Sequence, residues 1–357
     1  MIDIFLRLIG LVWTLGQALR LTPPEFPLKL HLIDILVFIL FIRLIFYPKF
    51  CKLFLYDYIS LGLIMFASAV LISLLANLPN LSLTTSLSAI SYALRFFVYF
   101  SVYYAFRLSL FSPSLNRFAF IFVFLGFYQY FFISDLRFLK AVGYDDHYYR
   151  LTGFIFDPNF TGLILVIVFL FALREGRVAI SYLQSIFLLS AIALTFSRAS
   201  YLTLGFSISV LALITRRPRY VFILVILALI VFFVPKPFGE GVNLMRLYSI
   251  FSRLDTYQHA ISLFLTNPLF GVGFNTLGQG GGIDNSFLFV LATTGIVGFF
   301  AFFYLLIISF LKVTDIIPRL SLAAILFHSL FNNSFFQSSI LLLWIAIIAA
   351  PKDQSST

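Results

Sequence analysis

Charge is scarce in this sequence: only 11% of its 357 residues are Asp, Glu, Lys or Arg, where a soluble domain carries roughly 25%. A chain of this length needs a polar shell that so few charges cannot supply, which excludes a soluble globular protein. A single cysteine, Cys51, excludes an internal disulfide and a thiolate metal cluster. Three Met and two Trp leave little for other specialised uses. A cleavable signal is not evident either. The first hydrophobic stretch carries Arg7 and runs into Thr22-Pro23-Pro24 rather than a small-x-small site, so it is expected to remain as the first span.

What the chain has in abundance is apolar bulk: 61% hydrophobic residues, with 48 Phe and 18 Tyr, and a mean hydropathy of +1.05. Such side chains face lipid, and Phe and Tyr suit lipid contact and interfacial belts. The predicted fold class is therefore all-α, a polytopic transmembrane helical bundle forming one integral membrane domain over residues 1–357. Breaking the sequence at its charged and Pro/Gly-rich stretches gives about 12 spans. Their cores run 3–19, 30–47, 57–76, 88–108, 117–134, 159–173, 178–195, 198–214, 220–234, 284–311, 318–331 and 335–350. No internal repeat is visible.

A net charge of +10 invites a nucleic-acid partner, but in a membrane chain basic residues mark cytoplasmic loops. With an even number of spans and a cytoplasmic N-terminus, fourteen Lys and Arg fall on the cytoplasmic side, nine on the outer side, and Arg95 lies within a span. That bias predicts both termini in the cytoplasm. No basic region off the membrane is left for a duplex to contact, so no nucleic acid is expected.

The outer set is concentrated. Arg137, Lys140, Arg150, Arg246 and Arg253 lie in the two long loops, 134–159 and 235–283, and Arg198 lies in a very short one. Loops of these lengths are functional or disordered, and Tyr144, Tyr148, Tyr149, Tyr248, Phe251 and Tyr257 argue against disorder. In the second loop Ile250, Phe251, Leu254, Tyr257, Ile261 and Phe264 recur at helical spacing. They predict an interfacial helix ended by Asn267-Pro268.

Four motifs fall on this side. Asp157-Pro158-Asn159, following Arg150 and Gly153, reads as a helix N-cap with an anchoring Arg, or as an anion site at a helix N-terminus. Ser197-Arg198 sits in a tight turn, where the Arg reaches headgroups or a ligand. Arg253 precedes Asn267-Pro268-Leu269-Phe270-Gly271-Val272-Gly273, whose two glycines permit close backbone approach. Asp284-Asn285-Ser286 follows a glycine run beginning at Gly280, and Asp284 reads as a helix cap or a base.

In order and location these elements resemble the O-antigen ligase and polymerase superfamily, bacterial polytopic inner-membrane glycosyltransferases. The resemblance covers residues 145–300 and includes Gly162, Asn285-Ser286-Phe287-Leu288, Gly295 and Gly298. It implies an undecaprenyl-diphosphate-linked glycan donor, a glycan or lipid acceptor, membrane lipids as surroundings, no cofactor and no metal. Asp145-Asp146-His147 lacks metal-site spacing. Arg150 and Arg198 would neutralise the diphosphate, since guanidinium binds phosphate oxygens in pairs and stays ionised. Arg253, Asp157, Asn159, Ser197, Gly271 and Gly273 would help bind substrate, and Asn285 would orient the acceptor. Ligases of the family place His before the Asn of the fourth motif. Asp284 stands there in this chain, and a carboxylate can also take the acceptor's proton. Polymerase and ligase both remain open. The alternative from another class is a transporter or flippase of a lipid-linked or anionic solute, which would place polar groups such as Asp34 and Arg95 deep between related halves.

Overall fold

The computed structural model describes residues 2–23, 26, 28–109, 115–174, 178–236, 239–277 and 282–350. Gly280 and Gly281 of the predicted glycine run lie outside them. Among the described residues the regular structure is helical, and the only β pairing is two isolated bridges, Arg20↔His31 and Asp135↔Tyr148.

The chain runs through α1 (Ile2–Thr14), α2 (Leu32–Ile45), α3 (Pro48–Tyr56), α4 (Tyr58–Asn77), α5 (Leu83–Tyr99), α6 (Ser101–Leu108) and α7 (Leu115–Phe132). It continues through α8 (Pro158–Arg174), α9 (Val178–Leu194), α10 (Arg198–Thr215) and α11 (Val221–Phe233). The last elements are α12 (Tyr248–Thr266), α13 (Ser286–Lys312), α14 (Ile316–His328) and α15 (Ser338–Ala349). Helix therefore occupies each of the twelve predicted apolar stretches. Among the described residues four segments are long and apolar enough to cross a membrane: Tyr58–Asn80, Leu83–Leu108, Arg198–Thr215 and Ser286–Lys312. The other apolar helices are shorter than the roughly 20 residues that a span needs.

Polar residues start these helices where the sequence provides them. Asp57 accepts from Ile59 N–H at α4, Ser82 from Thr85 N–H at α5, and Asn285 from Phe287 and Leu288 N–H at α13. Each satisfies backbone donors that a helix start leaves unpaired. The core is apolar and aromatic: Phe66, Phe96, Phe335, Phe336 and Trp344 meet neighbours edge to face or tilted, and Phe302 stacks on Phe336. Large apolar side chains also lie on the outside, among them Phe120, Phe222, Phe232 and Phe300. A bundle apolar both inside and out is built for lipid.

One interruption of the longest helix shapes the site. Gly295 in α13 has φ +65° and ψ −167°, which breaks the helix. The segment 267–273 fills the break: Val272 and Gly273 N–H donate to Ala292 and Thr293 carbonyls at 3.0 Å, and Ile296 N–H donates to Pro268 O at 2.9 Å. Non-helical backbone at membrane depth is tolerated only when protein satisfies it. Here Asn77 also donates to Gly271 O, and Ser73 to Thr293 O.

Candidate functional site

Cross-connections gather six connectors at one end of the bundle. Arg20 and Lys29 donate to the carbonyls of Val142 and Gly143, and Leu151 N–H donates to Leu194 O. Tyr257 of α12 and Asn285 both donate to Leu330 O, in the connector after α14. The predicted interfacial helix is α12, which is largely exposed and buries only Ala260.

At this end the chain turns sharply between α9 and α10, with Phe196 at φ +47°. The turn presents its carbonyls outward, and Arg150 takes them: Nε donates to Thr195 O at 2.9 Å and Nη2 to Phe196 O at 3.2 Å. Arg150 is only 6% exposed. Arg198, the first residue of α10, donates to the carbonyls of Leu244 and Arg246 and to Ser249 Oγ. Arg246 donates to Gly241 and Asn243 carbonyls and, at 3.5 Å, to Phe196 O. Arg253 reaches Asn332 Oδ1 at 3.4 Å.

Four guanidiniums thus sit at one mouth, and none makes an ion pair among the described residues. Burial and, after it, mutual repulsion lower the proton affinities of Arg150 and Arg246. Burial first, then the Arg246 charge, pushes Arg150 down to about 9. Burial and then Arg198 and Arg253 lower Arg246. Arg150 and Arg246 both stay charged at neutral pH. Their hydrogen-bond partners are neutral carbonyls, a hydroxyl and a carboxamide, so the guanidiniums are held in place without a bonded carboxylate.

Two carboxylates border the cluster. Asp157 caps α8, with Oδ1 accepting from Asn159 and Phe160 N–H at 2.6 and 3.2 Å, yet burial raises its pKa to about 6 against those two bonds. Asp284 reaches the surface, but the protein crowding it raises its pKa, with the Arg253 charge opposing. A carboxylate so placed holds a proton more readily than a free one, as a general base requires.

Asn159 and Ser197 tie the first two motifs together. Ser197 Oγ donates to Asn159 Oδ1 at 2.8 Å, and Ser200 Oγ donates to Asn159 O at 3.2 Å. A Cβ on Gly162 would collide with Ser200, which explains the glycine there. Gly271 and Gly273 lie elsewhere. At φ +66° and +106° they seat the 267–273 segment in the α13 break, and a Cβ on Gly271 would strike the Thr293 backbone. Asn285 caps α13 and ties it to Leu330 O at 3.0 Å.

Sequence reasoning missed two contributors. Arg246 sits in no motif, and only its count among outer basic residues pointed to it. His328 ends α14 fully buried, with Nε2 3.3 Å from Asn332 Nδ2 and Nδ1 2.7 Å from Ser334 Oγ, and so braces the residue that meets Arg253. His147 stands beside Arg150 and Arg246. Burial and then the Arg150 charge lower it to about 3, so its ring is neutral. Among the described residues no three His, Cys, Asp or Glu side chains group as metal ligands.

Residues 183–303 match the family model described as O-antigen ligase. The match supports the O-antigen ligase and polymerase superfamily for this chain. The matched stretch includes Arg198, Arg246, Arg253, Asp284 and Asn285, while the fold brings Arg150, Asp157 and Asn332 to the same mouth from outside it. O-antigen-ligase-like glycan transfer is the activity in general that the match supports. No curated protein matches the chain.

Proposed function

We propose that the protein transfers a glycan from an undecaprenyl-diphosphate-linked donor to a hydroxyl acceptor at the outer face of the bacterial cytoplasmic membrane, as an O-antigen ligase or a surface-polysaccharide polymerase. The single observation that carries this reading is the set of four arginines without carboxylate partners at one mouth. Holding like charges together costs energy unless an anion joins them, and a diphosphate suits forked guanidiniums.

In this reading the acceptor oxygen attacks the anomeric carbon of the donor glycan. The bond from that carbon to the phosphate oxygen breaks, and undecaprenyl diphosphate leaves with the electron pair. Arg150, Arg198, Arg246 and Arg253 stabilise the developing negative charge, which is the largest need of the reaction. Asp284 takes the proton of the acceptor hydroxyl. Asn285 supports this position through its cap of α13, and Asp157 with Asn159 fixes the start of α8 beside Arg150. The cluster needs no metal in this scheme, because the guanidiniums supply the cationic charge.

Analysis of lipid-linked and surface glycans in a deletion strain tests the reading and divides its two forms. Short unpolymerised units indicate a polymerase, and long chains left on the lipid carrier indicate a ligase. Surface glycans and lipid-linked pools unchanged from the parent strain would overturn both.

A further inference from the structure

A second polar feature lies behind the arginine mouth. A partly open cavity of about 230 Å³ is bordered by α5, the first turns of α8, α13 and α15, the 267–277 segment and the connector into α15. Its polar lining includes three carboxamides, Asn275, Asn333 and Gln337, and its apolar lining is aromatic, including Phe160 and Phe336. The one cation there, Arg95, is already neutralised: Nε meets Asp34 Oδ1 at 2.8 Å, Nη2 meets Asp34 Oδ2 at 2.9 Å, and Nη2 also donates to Lys29 O. Asn333 Oδ1 is buried with no hydrogen-bond partner among the described residues, although buried polar atoms in folded proteins nearly always have one. Gln337 spends its carbonyl oxygen on Ile340 N–H as the cap of α15, which keeps its amide nitrogen as a donor. Asn275 is held at φ +55°, in the left-handed region that Asn tolerates at a cost.

Neutral carboxamides beside aromatic faces bind hydroxyl-bearing rings: the amides pair with hydroxyls as donors and acceptors, and the aromatic faces cover the C–H surface. An anion would find no uncompensated charge here. The volume is below the roughly 300–1,000 Å³ of pockets that take drug-sized ligands, so it suits one sugar ring. A relay of side chains connects it to the arginines. Phe160 lines the cavity with its ring 6.3 Å from that of His328, and His328 contacts Asn332, the partner of Arg253.

We propose that this cavity binds one neutral sugar residue of the acceptor glycan, giving the site a polyol pocket next to its anion mouth. The proposal rests on the glycan-transfer reading. Its test uses the full chain purified in detergent, with the methyl glycosides of glucose, galactose and N-acetylglucosamine as one set of probes and inorganic pyrophosphate as the other, read by saturation-transfer NMR. At least one glycoside binds the wild type. Asn333→Ala and Asn275→Gly, the latter keeping the positive φ, each weaken it about fivefold, as loss of one or two hydrogen bonds predicts. Both retain pyrophosphate, which shows that they fold, and Arg198→Ala shows the reverse pattern. A wild type that binds none of the glycosides, or binding untouched by both cavity variants, overturns the pocket. Pyrophosphate binding indifferent to the arginines counts against the transfer reading separately and leaves the glycoside result standing.

Discussion

The two ends of the bundle handle charge in opposite ways. At the end away from the candidate site, Asp57 accepts from Lys312 Nζ at 2.8 and 2.7 Å, from Tyr103 and from Ile59 N–H, and the ammonium lies 4.8 Å from the Tyr103 ring centroid. That carboxylate is saturated by one cation, one phenol and one amide. At the other end of α13, 27 residues away, four guanidiniums share carbonyls, a hydroxyl and a carboxamide and make no ion pair among the described residues, with Asp157 and Asp284 only bordering them. A protein that pairs a charge so completely at one end leaves four cations without a bonded carboxylate at the other. Paired charge fastens α4 to α13, whereas unpaired charge of one sign is the form a site takes when its counter-ion is the substrate.

Breaking this contrast at the mouth has the largest expected effect. Arg198→Ala lowers glycan transfer from a lipid-linked donor by about 10²–10³-fold, the scale for removing a charge-stabilising donor, while the protein still reaches the membrane. Next comes the bordering acid. Asp284→Asn lowers transfer by about 10²-fold. In the wild type, transfer rises with pH through a pKa above the ordinary carboxylate range, because burial favours the protonated form and only the ionised form accepts a proton. The variant loses that rise, and a pH–rate profile checks both statements. Arg246→Ala, which sharpens the contrast by testing the residue outside any motif, costs about tenfold in the same assay. The smallest effect on transfer is at the opposite end. Lys312→Met strands Asp57 and destabilises the fold by roughly 1–3 kcal/mol, read as a lower Tm, while transfer per folded molecule stays near wild type.

The helices were legible in the sequence because lipid demands long apolar runs, so hydropathy alone located all twelve stretches. It is blind to φ, however, and α13 reads as one unbroken span although Gly295 interrupts it. For the same reason Gly271 and Gly273 read as a loop made for a ligand's approach. The fold uses their positive φ to seat the loop in the helix break, a partnership 24 residues apart for Gly271 and Gly295 that no local pattern displays. Arg198 and Arg253 were legible from their motifs. Arg246 was not, since its proximity to Arg198 is created where residues 241–247 meet the α9–α10 turn. His147 sits in a run of possible metal ligands by sequence, but the fold leaves it beside two arginines with its neighbour Asp146 3.6 Å from Lys140. Arg95 and Asp34, candidates for deep transport groups, instead pair with each other next to Lys29 O.

The central claim is that the arginine mouth holds a diphosphate, and calorimetric titration of undecaprenyl diphosphate into the detergent-purified protein tests it most directly. The arginines predict saturable binding that falls with added salt, weakens at least tenfold in Arg198→Ala, and is the same in Lys312→Met as in the wild type. Binding of equal strength in the wild type and Arg198→Ala would contradict the account.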